Sequence, residues 1–136
     1  VLSNHPVILL DSAHNRYSAL RLRQALDDYF PGLPVIMVFG ASEDKDIEGM
    51  YQELLPRVRR VITTQSIHPR AIGADKLEEL AHRFGRSALA VTPVENALDL
   101  ALQEAGQEAV ILVTGSIFVV AAVKEIFSES QKNNSR

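Results

Sequence analysis

Five short apolar runs punctuate the chain, at residues 7–10, 35–39, 58–64, 88–92 and 109–114. They are rich in Val and Ile and nearly continuous rather than alternating, which is the pattern of strands covered on both faces of a parallel sheet. The run at 88–92, carrying Leu89 and Val91, fits this pattern least well. After each run the apolar positions change to spacings of three and four, the period of a helix with one buried face. Examples are Ala19, Leu22, Leu26 and Tyr29, then Ile47, Met50, Tyr51 and Leu54, then Leu77, Leu80, Ala81 and Phe84. The series continues with Val94, Leu98, Ala101 and Leu102, and with Val119, Val120, Val123 and Phe127. Helix stops are expected at Pro31-Gly32, Gly85 and Gly106, and Thr92-Pro93 reads as a cap and first-turn pair. Strand–helix alternation requires right-handed crossovers. The predicted fold is therefore α/β: a three-layer, Rossmann-like domain with a mostly parallel sheet and helices on both faces.

A length of 136 residues suits one domain with one core. Residues 1–6 read as a linker, as though a larger chain preceded them. The domain spans 7–128, and the polar tail 129–136 is expected to be disordered. A hydrophobic share of 46% and a charged share of 23% exclude intrinsically disordered and collagen-like classes. The net charge of −3 argues against a nucleic-acid surface. No apolar run is long enough to cross a membrane, so no membrane partner is expected. The absence of cysteine removes disulfides, thiolate metal sites and cysteine nucleophiles, and fits a cytoplasmic protein.

In an open parallel sheet, ligands bind beyond the carboxyl ends of the strands. The junctions there are polar beyond the needs of a turn: 11–15 (DSAHN), 40–46 (GASEDKD), 63–71 (TTQSIHPRA) and 114–116 (TGS). The fold brings Asp11, His14, Asn15, Lys45, Asp46, His68, Arg70 and Ser116 to one edge. Asn15, Asp46 and Ser116 equally suit helix caps. Lys45 equally suits a solvated surface charge, and Pro69-Arg70 a structural turn. Asp11 directly follows an apolar run, and a carboxylate there would sit near the core unless it holds a ligand hydroxyl, a metal or a helix N-terminus, so a ligand role is expected of it. A zinc site from Asp11, His14 and His68 matches no ligand spacing. His5 and His82 read as ordinary surface residues. The chain has no P-loop and no glycine in its first strand–helix turn, and Ser116 lies outside a G-x-S-x-G elbow. A receiver-type domain is excluded too, since Thr63 and Thr64 stand where its acceptor aspartate would be. A stand-alone module for a nucleotide or acidic metabolite, and an interaction domain, both remain compatible with these junctions.

Taken in order, the junctions resemble the C-terminal domain of the Mur ligase superfamily, and within it the folylpolyglutamate synthase and dihydrofolate synthase branch. The peptidoglycan-precursor ligases are the nearest alternative. Asp11-Ser12-Ala13-His14-Asn15 resembles the family's D-G-A-H-N, with Ser12 in place of glycine. Residues 39–46 are similar to F-G-x-x-x-D-K-D, His68-Pro69-Arg70-Ala71 to its P-R-A element, and residues 113–116 to V-T-G-S. The resemblance implies an ATP-dependent ligase that joins L-glutamate to the γ-carboxylate of folates through an acyl phosphate. It implies ATP contacts at Asp11 and Asn15. Glutamate or folate contacts are implied at His14, Lys45, Ser116 and, secondarily, Arg70. It also implies that ATP and Mg2+ are held largely by an N-terminal ATPase domain joined through the linker, without which this domain is inactive.

Overall fold

The computed structural model describes residues 1–4 and 6–134; His5 and residues 135–136 lie outside the described residues. The strands are β1 (Ser3–Asn4), β2 (Val7–Leu10), β3 (Val35–Phe39), β4 (Arg60–Thr63), β5 (Ala88–Ala90) and β6 (Val110–Thr114). Helices α1 (Arg16–Tyr29), α2 (Ile47–Leu54), α3 (Ala74–Arg83), α4 (Val94–Ala105) and α5 (Ile117–Asn134) alternate with them. The sheet order is β1-β2-β6-β3-β4-β5. Strands β2 to β6 are parallel to their neighbours, and only β1 pairs antiparallel, with β2. This is the α/β fold expected from the alternation of patterns.

Burial follows the two faces of the sheet. Val35, Met37 and Phe39 of β3, with Val110 and Leu112 of β6, pack against α1, α2 and α3. Ile36 and Val38, with Ile111 and Val113, pack against α4 and α5. Both central strands are therefore fully buried, which is why their sequences are continuous rather than alternating. The first face also holds Tyr51, whose hydroxyl donates to the Leu77 carbonyl at 3.0 Å and whose ring lies 4.9 Å from that of Phe39. Burial pushes the Tyr51 hydroxyl pKa well above its ordinary value. Glu53, 8% exposed, is held by Arg16 at 2.8 Å and Arg23 at 3.3 Å, and locks α2 to α1.

Within residues 1–6, Ser3–Asn4 pair antiparallel with β2 as an edge strand. Three expectations need correction. The tail expected to be disordered from 129 is helical to Asn134, since α5 continues past its last apolar anchor, Phe127. Thr92 does not cap α4; Pro93 itself is the N-cap, and no side chain bonds to the helix end. Tyr29 closes the apolar series of α1 in sequence yet is 78% exposed, and the buried face of the helix ends at Leu26. The weakest strand forms as β5 on the outer edge, where Leu89 is exposed.

Candidate functional site at the strand ends

The chain winds outward from β2 through β3 and β4 to β5 along one face of the sheet, then returns on the other face to insert β6 between β2 and β3. Loops leaving β2 and β6 therefore diverge to opposite faces. A parallel sheet opens a ligand crevice at such a point. The two junctions stay tied at their roots, where the Asp11 N–H donates to the Val113 carbonyl at 3.0 Å.

On the β2 side, Asp11, Ser12, His14 and Asn15 are exposed around the buried Ala13. The Asp11 side chain stands exposed at the crevice, and its carboxylate accepts the Ala13 backbone N–H. Desolvation among the junction atoms nevertheless raises its pKa above the ordinary carboxylate value, with the Ala13 bond and the His14 charge opposing. Asn15 caps α1. Its Oδ1 accepts the Ser18 N–H at 2.8 Å, and the Ser18 hydroxyl completes a reciprocal box. His14 has its backbone N–H on the Ser18 hydroxyl at 3.0 Å, leaving its ring at the surface. Asp46 likewise caps α2 through the Gly49 N–H.

On the other side of β6, the β3–α2 and β4–α3 junctions are laced together. Ser42 and Ala71 form an antiparallel bridge, and the Glu43 N–H donates to the Arg70 carbonyl at 3.0 Å. This lacing brings Lys45 and Arg70, distant in sequence, to one cavity of about 320 Å³ whose lining also includes Asp44, His68, Ser116 and Phe118. Asp44 accepts from the Ser42 hydroxyl at 2.6 Å, and that bond, with Lys45 and Arg70 nearby, holds its carboxyl below the usual range. Ser116 is buried at the start of α5, where its Oγ accepts the Phe118 N–H at 3.1 Å. Cations, a hydroxyl and a helix N-terminus thus converge on a space of small-molecule size, an arrangement suited to a carboxylate ligand.

Two glycines let the ends of β3 and β6 approach closely beneath these junctions. Gly115 has φ +104°, and a Cβ there would meet the Gly40 carbonyl oxygen and the Phe39 ring. At Gly40 a Cβ would meet Val119 at 2.7 Å. The V-T-G-S and F-G elements are therefore a backbone contact between β3 and β6 as well as a source of site residues.

The structure thus separates the predicted residues into two groups: Asp11, His14 and Asn15 on the β2 side, and Lys45, Arg70 and Ser116 around the cavity. Sequence reasoning placed His68 on the edge and weighed it only for a zinc site, and it missed Phe118 and Ser42. Phe118 carried a signal, since an aromatic directly after T-G-S-I opens the apolar series of α5 while lying outside it. Among the described residues, no group of three or more His, Asp or Glu side chains is placed to hold a metal ion. No helix of the described residues is long and apolar enough to cross a membrane.

An α/β domain with a crevice lined by polar and charged residues at its strand ends is the class this geometry defines. Residues 1–117 match the family model of the Mur ligase glutamate ligase domain, and the chain belongs to that family. It is 33% identical over 125 residues to a probable bifunctional folylpolyglutamate synthase/dihydropteroate synthase of Halobacterium salinarum, a match covering 91% of this chain and 15% of that protein. The bifunctional folylpolyglutamate synthase/dihydrofolate synthase of Yersinia pestis, solved with AMPPNP and Mn ion, superposes with a TM-score of 0.85 at 34% identity, covering 94% of this chain and 30% of that one. A further structure of a bifunctional folylpolyglutamate synthase/dihydrofolate synthase, with Mn, AMPPNP and L-glutamate bound, gives a TM-score of 0.84 at 32% identity over 93% of this chain and 30% of that one. The chain therefore spans less than a third of the length of these relatives.

Proposed function

We propose that this domain is the glutamate-binding half of an ATP-dependent ligase that lengthens folates by γ-linked L-glutamate. The observation that carries the reading is the cavity shared by Lys45, Arg70 and Ser116, set across β6 from the Asp11 junction. One crevice thereby offers an anion site and a nucleotide-facing carboxylate in a domain of the glutamate ligase family.

In the proposed reaction the γ-phosphoryl group of ATP passes to the folate γ-carboxylate, giving an acyl phosphate and ADP. The amine of L-glutamate attacks the acyl carbon, phosphate leaves, and the amine sheds a proton as the amide forms. Lys45 and Arg70 pair with glutamate carboxylates and screen them from the anionic acyl phosphate. Ser116 donates its hydroxyl to the same amino acid, and His14 lies on the side where the folate tail enters. Asp11 accepts the ribose hydroxyls of ATP, while Asn15 holds the α1 N-terminus beside it. This chain supplies no covalent nucleophile; it works by positioning. In this reading the triphosphate and Mg2+ are held by a separate ATPase domain; this sequence carries no P-loop of its own. Closure of the two domains would exclude water from the acyl phosphate. Such an enzyme works in the cytoplasm, where ATP and reduced folates are available.

The test is Asp11→Ala in the full-length gene product, assayed for glutamate-dependent ADP release with a reduced folate and Mg2+. Loss of two hydrogen bonds to a charged acceptor is expected to raise the KM for ATP by roughly tenfold or more, with the KM for glutamate little changed. An unaltered KM for ATP would remove Asp11 from the nucleotide site.

A further inference from the structure

His68 is half-buried on the wall between the polar cavity and a neighbouring, more apolar one, in contact with two partners. Its Nδ1 accepts the Arg70 backbone N–H at 3.1 Å. Its ring stacks on Phe118, with centroids 4.2 Å apart and planes 22° apart. The Phe118 N–H in turn donates to Ser116 Oγ at 3.1 Å. A neutral imidazole whose Nδ1 accepts a backbone N–H must carry its proton on Nε2. The stack restricts the ring plane, so this donor is fixed in orientation before any ligand arrives.

We propose that His68 is a specificity-determining residue of the cavity: a neutral Nε2–H donor, held by Arg70 and Phe118, that hydrogen-bonds a carboxylate of the incoming acidic amino acid. The assignment rests on the reading of this cavity as the glutamate site. Lys45 and Arg70 attract an anion from any direction; a fixed donor beside them favours one placement of that anion. With Nδ1 accepting the Arg70 N–H, His68 adds this bond without a further positive charge beside the amino group of the incoming amino acid. The chain of contacts from Arg70 through His68 and Phe118 to Ser116 also keeps the β4–α3 junction and the start of α5 in register around the ligand.

Two substitutions separate donor from scaffold. In His68→Asn the short amide oxygen can still accept the Arg70 N–H, while the distal donor is lost; in His68→Gln a donor returns at about the reach of Nε2. In the full-length enzyme, His68→Asn is expected to raise the KM for L-glutamate about tenfold, with kcat and the KM for ATP within about twofold of the parent. His68→Gln should recover most of that loss. An unchanged glutamate KM in His68→Asn overturns the assignment, as does a parallel rise in the KM for ATP, which would mark a purely structural residue. Failure of His68→Gln to recover affinity while both variants keep the parental melting temperature also overturns it. A parent enzyme that releases no ADP with glutamate overturns the ligase reading and this assignment together; normal parental turnover with an unaffected His68→Asn overturns this assignment alone.

Discussion

Removing both cations from the cavity, by Lys45→Ala with Arg70→Ala, is expected to raise the glutamate KM of the full-length enzyme roughly a hundredfold, at about 1.5 kcal/mol for each charged contact. Lys45 is half-buried and Arg70 exposed, so the lysine should carry the larger share. Among the described residues neither side chain forms a salt bridge; Asp44, bonded to Ser42, is the carboxylate near both. Stability should therefore change little. Lys45→Arg and Arg70→Lys should each restore part of the affinity, since charge is kept while geometry changes. Steady-state kinetics with glutamate varied at saturating ATP reads this out. A double variant whose glutamate KM stays within threefold of the parent would remove the cavity from amino-acid binding.

The second large effect concerns folding. Gly115→Ala should destabilise the domain by about 3 kcal/mol, because alanine must adopt a left-handed φ and also displace the Gly40 backbone and the Phe39 ring. For a domain of this size the melting temperature should fall by roughly 10 °C. Gly32→Ala is the control. That glycine also has positive φ, at +74°, but nothing lies within 4 Å of its missing Cβ, so only the conformational cost of about 1 kcal/mol applies. Equal melting temperatures for the two variants would show that β3 and β6 do not depend on the close approach at Gly115.

These two predictions rest on features that differed in how visible they were from sequence. The strand runs were legible because β3 and β6 are buried on both faces, so hydrophobicity alone marks them. The ends of helices were less so. Pro93 caps α4 with backbone alone, and α5 continues through polar residues to Asn134 that carry no apolar period. Of the site, Lys45 and Arg70 were visible as residue types at junctions, whereas their meeting at one cavity depends on the Ser42–Ala71 bridge, a long-range backbone contact that no local pattern encodes. Asn15 shows the reverse case: its capping role was written in the sequence and is what its side chain does. Asp11 was legible as an edge residue because a carboxylate directly after an apolar run has to find polar company, and it stands exposed at the end of β2. Ser12, in place of a glycine in the resembled signature, is exposed, and among the described residues no non-glycine residue has positive φ, so the serine fits without strain.

The most direct measurement is product analysis by mass spectrometry after incubating ATP, Mg2+, a reduced folate and L-glutamate with the full-length gene product and, in parallel, with this chain alone. The account predicts folate lengthened by γ-linked glutamate, with one ADP per glutamate, from the full-length protein and none from the isolated domain. A well-folded full-length protein that yields no glutamylated product, or an isolated domain that yields it unaided, would contradict the account.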